Sequence, residues 1–139
     1  MSPVINPDSA GKERTYLTKS VVLAVRQLAR QSGIDATTRD LAAFIALALK
    51  QIDASIDLSV RAWERRGYWV KADRFRMEWL WAGQLGDKMR AAVIAEDWAA
   101  VAGVSAQVGQ KLGKVQVAEH HRLGTPWTGA YKRLMEQAR

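Results

Sequence analysis

Between Leu41 and Ala100, apolar residues recur at alternating steps of three and four, interrupted only by glycines and a short arginine-rich turn. Such spacing returns to one side of a helix every two turns, so it commits this stretch to long amphipathic helices packed side by side. The first run reads Leu41, Ile45, Ala48, Ile52, Ile56, Ser59 and Trp63, with Phe44, Leu47, Leu49 and Val60 adding apolar mass off the stripe. Because its first half is apolar nearly all round, it is expected to be covered on more than one side, by the bundle or by a second copy. The second run, Phe75, Trp79, Ala82, Leu85, Met89, Val93, Glu96 and Ala100, keeps its phase through Gly83 and Gly86. It predicts one helix, hydrogen-bonded without a break from about residue 71 to about residue 101. Each interior glycine costs a helix about 0.5–1 kcal/mol against alanine, so a break at Gly86-Asp87, capped by Asp87, is the competing reading.

Shorter helices flank these two. Leu17, Val21, Ala24 and Leu28, widened by Val22, Val25 and Ala29, predict a helix within residues 12–32, capped by Asp8 or Ser9 and closed by a left-handed Gly33. Thr37 and Asp40 have the spacing of a capping box for the second helix. Gly103 is expected to end the third helix and Ser105 to cap a fourth, whose stripe is Val104, Val108, Leu112 and Val115. Ser105, Gly109 and Gly113 form a small-residue face that lets another backbone approach. Thr125-Pro126 is a helix start, and a last helix presents Trp127, Tyr131, Leu134 and Ala138. No period-two alternation or internal repeat occurs. The expectation is an all-α, up-down antiparallel four-helix bundle with two long central helices and a short fifth C-terminal helix. Residues 1–11 are read as a flexible lead and 12–139 as a single helical-bundle domain.

The 139 residues are enough to bury a core without a staple, and the lack of cysteine excludes disulfides, thiolate metal sites and thiol catalysis. Residues 1–10 lack a basic segment followed by an apolar one and so do not read as a signal peptide. The longest apolar run, Leu41 to Leu49, is nine residues, less than half of a membrane span. A soluble, cytoplasmic protein that makes no use of a membrane is expected.

Catalytic constellations are not found. Carboxylate-bridged dimetal bundles need a Glu-x-x-His on each of two helices, whereas the two histidines here, His120 and His121, are adjacent and point about 100° apart on a helix. Phosphate-binding glycine loops and nucleophile elbows need strands that this chain lacks. No catalytic residue, metal ligand or cofactor is assigned, and a non-enzymatic role is expected. Glu96 alone places a charge on a core stripe, and its nearness to Gly103 suggests a frayed helix end.

The formal charge of +7 draws attention to polyanions. In the up-down topology the start of the first helix, the Arg66–Lys71 turn and the end of the fourth helix share one basic pole, opposite a pole holding Asp35, Asp40, Glu96 and Asp97. Candidate polyanion-binding residues are Arg61, Arg65, Arg66, Lys71, Arg74, Arg76 and Arg122. Tyr68, Trp69, Trp81 and Trp127 are the candidate interface or ligand aromatics, because Trp63 and Trp79 belong to the core stripes. Two uses follow: association with itself as a homo-oligomer or with another protein, or, alternatively, a sequence-tolerant grip on nucleic acid. A third is a small-ligand pocket between helices opened by Gly83, Gly86, Gly109 and Gly113.

Overall fold

In the computed structural model, which describes residues 7–118 and 120–139, five helices and no strand are found. They are α1 (Pro7–Ala29), α2 (Ala36–Arg65), α3 (Trp69–Ile94), α4 (Trp98–Lys111) and α5 (Ala130–Gln137). They pack as a bundle around α2, which touches α1, α3 and α5, with α4 against α3 and α1. None is long and apolar enough to cross a membrane.

The stripe on α2 is the core. Leu41, Ile45 and Ile52 of the stripe, and Leu49 beside it, are fully buried, and each such side chain contributes about 1.5–3 kcal/mol on leaving water. Ser59 is buried with them, and Trp63 is half-buried at the end of the stripe. The extra apolar surface of the first half of α2 is covered within the chain by α5, which brings the buried Ala130 and Leu134 onto it.

Starts and stops differ from expectation in several places. α1 begins at Pro7, so Asp8 and Ser9 lie inside its first turn rather than ahead of it. Its last turn tightens, with Arg30 N donating to Gln27 O and Gln31 N to Leu28 O, and Gly33 is not left-handed. The capping box of α2 is Asp35 with Thr38, not Thr37 with Asp40. Thr38 N donates to Asp35 Oδ1 at 2.9 Å, and Asp35 N to Thr38 Oγ1 at 3.4 Å. Donation to Asp35 Oδ1 from Thr38 N and from the Thr38 hydroxyl, at 3.0 Å, holds the Asp35 carboxyl below its ordinary pKa.

The largest correction concerns the predicted unbroken helix from 71 to 101. Phase does hold through Gly83 and Gly86, because α3 uses both glycines to approach α2. A Cβ on Gly86 would lie 3.1 Å from Leu49 Cβ, and one on Gly83 would lie 2.8 Å from Asp53 Oδ2. The chain breaks later, at Ala95–Asp97. There Glu96 adopts φ 54°, Glu96 N donates to Val93 O, and Asp97 N donates to Ala92 O. These are the two bonds of a Schellman motif, in which a left-handed residue satisfies the final carbonyls of a helix. The α2–α3 turn is built the same way, with Gly67 at φ 80°, Gly67 N donating to Glu64 O and Tyr68 N to Trp63 O. Gly103 lies inside α4, and the helix is capped by Asp97, whose Oδ1 accepts from Ala100 N at 3.1 Å, not by Ser105.

Contacts between side chains fix which ends meet. Arg14 of α1 reaches Ser55 of α2, and Trp63 of α2 meets Phe75 of α3. At the far end Arg39 of α2 pairs with Glu96 at 3.5 Å. α4 starts beside Arg39, with Trp98 under its guanidinium, and its Gly109 touches Val25 in the C-terminal half of α1. With 14 residues it spans about 21 Å, against about 45 Å for α2, so it does not run the length of the bundle.

Candidate functional site

The end of the bundle formed by the start of α1, the end of α2 and the start of α3 gathers most of the candidate residues. The Schellman turn at Gly67 brings α3 back along α2, so that Trp63 and Phe75 meet edge to face, with centroids 4.8 Å apart and planes at 69°. Arg14 arrives from α1. Its Nη1 donates to Ser55 Oγ at 3.1 Å and Ser59 Oγ at 3.4 Å, and its guanidinium lies 4.9 Å from the Phe75 ring centroid. Burial lowers its pKa from the ordinary value, but an arginine retains its charge at neutral pH. It therefore acts as a structural cation that ties three helices together.

The expected basic cluster divides into two groups. Arg61 pairs with Asp57 at 3.0 Å, and Arg76 pairs with Glu64 at 3.5 Å and Asp73 at 3.8 Å. Arg65, Arg66, Lys71 and Arg74 have no carboxylate within ion-pair distance among the described residues, although Glu78 follows Arg74 by four residues on α3. Lys71 Nζ instead sits 4.5 Å above the Trp63 ring.

A cleft of about 740 Å³ opens beside the turn, lined by Trp63, Phe75, Tyr68, Trp69, Lys71 and Arg74, with Gly67, Val70 and Glu78 completing it. Tyr68 and Trp69 are 55% and 63% exposed. Along the next turns of α3, Val70, Met77 and Leu80 are 67%, 65% and 48% exposed. On the side of α3 away from α2, exposed apolar residues therefore recur over about its first three turns, with the exposed Asp73 among them. Beyond Leu80 the same side becomes polar, with Gln84, Asp87 and Lys88 exposed.

Three candidates lie elsewhere or are covered. Trp127 is buried, not an interface aromatic on the basic pole. It precedes Gly129, whose N–H donates to Asp40 Oδ2 at 3.1 Å at the opposite end of the bundle. α5 carries it there by packing on the first half of α2. Trp81 is half-buried and stacked on Trp79 at 5.8 Å. Arg122 belongs to the connection between α4 and α5, which leaves α4 beside Val22, Val25 and Arg26 and reaches Asp40. In that connection Leu123 N donates to His121 Nδ1 at 3.3 Å. Gly83 and Gly86 face α2 closely, whereas Gly109 and Gly113 line a small cavity of about 140 Å³ against α1.

Sequence reasoning missed Val70, Met77 and Leu80. Their spacing of seven and three is a second apolar stripe on α3, opposite Phe75, Trp79 and Ala82, and was legible once the helix was phased. The role of Asp40 at α5 was also missed. Its carboxylate accepts from Gly129 N and, at 3.0 Å, from Tyr131 N, and so caps α5, whose own N-cap residue is a glycine.

Comparisons with protein-family profiles, with curated proteins and with solved structures find no match.

Proposed function

We propose that this protein is a cytoplasmic, non-enzymatic helical-bundle module that associates with a second copy of itself, or with another protein, through the outer face of the start of α3. The observation that carries this reading is the exposure of Trp69, Val70, Met77 and Leu80 on one side of one helix. Monomeric proteins rarely leave a contiguous apolar patch of more than a few hundred Å² in water. Tryptophan, tyrosine, methionine and arginine are also the residues enriched in interface cores, and Tyr68, Arg65 and Arg66 border the patch in sequence. The apolar first half of α2, which a second copy would otherwise cover, is covered by α5.

Sedimentation velocity across a hundredfold range of concentration tests the reading. The native chain should shift toward dimer or a higher species, and Met77→Glu with Leu80→Glu should sediment as a monomer with unchanged helicity. A native chain that is monomeric throughout, and whose solubility the two glutamates leave unaltered, refutes it.

A second reading is supported by Arg65, Arg66, Lys71 and Arg74, which have no carboxylate partner among the described residues, beside exposed Tyr68 and Trp69, the combination of cations and rings that grips single-stranded nucleic acid without sequence preference. Binding to a single-stranded oligonucleotide should weaken steeply with salt, and Arg65→Glu with Arg66→Glu should weaken it equally for every sequence. Absence of binding at low salt discards this reading.

A further inference from the structure

The cleft beside the α2–α3 turn differs in chemistry from the apolar face of α3. Its volume of about 740 Å³ lies within the range of small-molecule sites, which are concave, mostly aromatic or aliphatic, and furnished with a few converging polar groups. Trp63 and Phe75 offer two rings at a steep angle, and Tyr68 and Trp69 extend the aromatic wall toward solvent. An aromatic body can meet rings set in this way face to face on one and edge to face on another.

The charges in the lining do not balance. Lys71 and Arg74 are both without a carboxylate within ion-pair distance among the described residues, and Glu78 is the single acid in the lining. Lys71 is exposed, and its contact with Trp63 places its ammonium at the aromatic wall of the cleft. Arg74 adds a planar fork of donors that fits a carboxylate or phosphate with two parallel hydrogen bonds. Arg61 and Arg76, whose charges are already matched by Asp57, Glu64 and Asp73, do not line the cleft.

We propose that the cleft binds a small, flat aromatic or polycyclic molecule carrying one anionic group, a carboxylate or a phosphate. The rings take the apolar body, and Lys71 and Arg74 take the charge. This site shares Trp69 and Val70 with the association surface, whereas Met77 and Leu80 belong to that surface alone and do not line the cleft.

Titration calorimetry with 2-naphthoate, 1-naphthyl phosphate and the neutral 2-naphthamide, at near-physiological salt, tests the assignment. At least one of the two anions should bind with a stoichiometry of one per chain and about tenfold more tightly than the amide, the difference expected when a single charge-assisted hydrogen bond is lost. Which anion binds better identifies the headgroup. Lys71→Gln with Arg74→Gln should abolish the preference for the anion, Trp69→Ala should weaken all three ligands, and Met77→Glu should leave binding intact. Equal binding of amide and anions, a preference that survives the Lys71 and Arg74 changes, or no saturable binding overturns the proposal. Displacement of the naphthoate by a single-stranded oligonucleotide at lower concentration, with strong salt dependence, also overturns it and assigns the cleft to the polyanion reading.

Discussion

Replacing Glu96 with glycine should stabilise this protein, although it deletes an ion pair. Glu96 occupies the left-handed position of the Schellman motif at φ 54°, where a side chain meets its own backbone. That conformation costs an L-residue roughly 1–2 kcal/mol, a cost that glycine avoids. Against this, glycine gives the unfolded chain extra freedom worth about 0.5 kcal/mol. The Arg39–Glu96 pair, 3.5 Å apart with side chains 34% and 57% exposed, contributes at most a few tenths of a kcal/mol at such exposure. The net gain for Glu96→Gly is therefore about 0.5–1 kcal/mol. Glu96→Ala isolates the backbone effect, because it removes the same ion pair while keeping the strain. The two variants should differ by about 1 kcal/mol, or about 3–4 °C in Tm for a chain of this length. The reciprocal change, Gly67→Ala, forces a Cβ into φ 80° in the equivalent turn and should cost about 1 kcal/mol. Urea unfolding followed by circular dichroism at 222 nm reads all three. Glu96→Gly no more stable than Glu96→Ala would mean that residue 96 is not left-handed, and that α3 runs on toward Ala100.

Four further substitutions have expected outcomes. Gly103 is helical with open space around it, so Gly103→Ala should stabilise by about 0.5–1 kcal/mol; Gly86→Ala drives a methyl into the buried Leu49 and should instead destabilise by about 1 kcal/mol or more. Asp40→Ala removes both acceptors that cap α5, and should cost about 1–2 kcal/mol and expose the C-terminal segment to limited proteolysis before the rest of the chain. The Asp35 carboxyl is held below its ordinary pKa by hydrogen bonds from Thr38, so its contribution is present above the unfolded value near pH 4 and is lost as pH falls through the lower folded value. The stability difference between the native chain and Asp35→Ala should accordingly shrink as the pH is lowered from 5 toward 2, and a constant difference would refute the capping role.

The glycine pair Gly83 and Gly86 shows how a correct sequence rule can mislead by its position. Glycine inside a helix is a cost, and both residues are tolerated because α2 fills the space where their side chains would be. Conversely, the true end of α3 carries glutamate where glycine is customary. The turn at Gly67 was visible and the turn at Glu96 was not, although the hydrogen bonding of the two is the same. Among candidate site residues, Lys71, Arg74, Tyr68 and Trp69 were found because a turn gathers residues close in sequence. Trp127 was misplaced because its surroundings depend on a connection of irregular chain.

The sequence alone determined that the chain is helical and which faces of α1, α2 and α3 are apolar, because periodicity is a local property that each helix carries by itself. It also determined that arginines and aromatic rings crowd the turn between α2 and α3, since neighbours in sequence remain neighbours in space. Tertiary structure alone decided that α4 is short, that α5 covers the first half of α2 under the control of Asp40, and which arginines are already paired. Those outcomes depend on contacts between residues as far apart as Asp40 and Tyr131, and on a left-handed residue whose strain is offset by the packing on either side. Neither leaves a mark in a spacing of threes and fours.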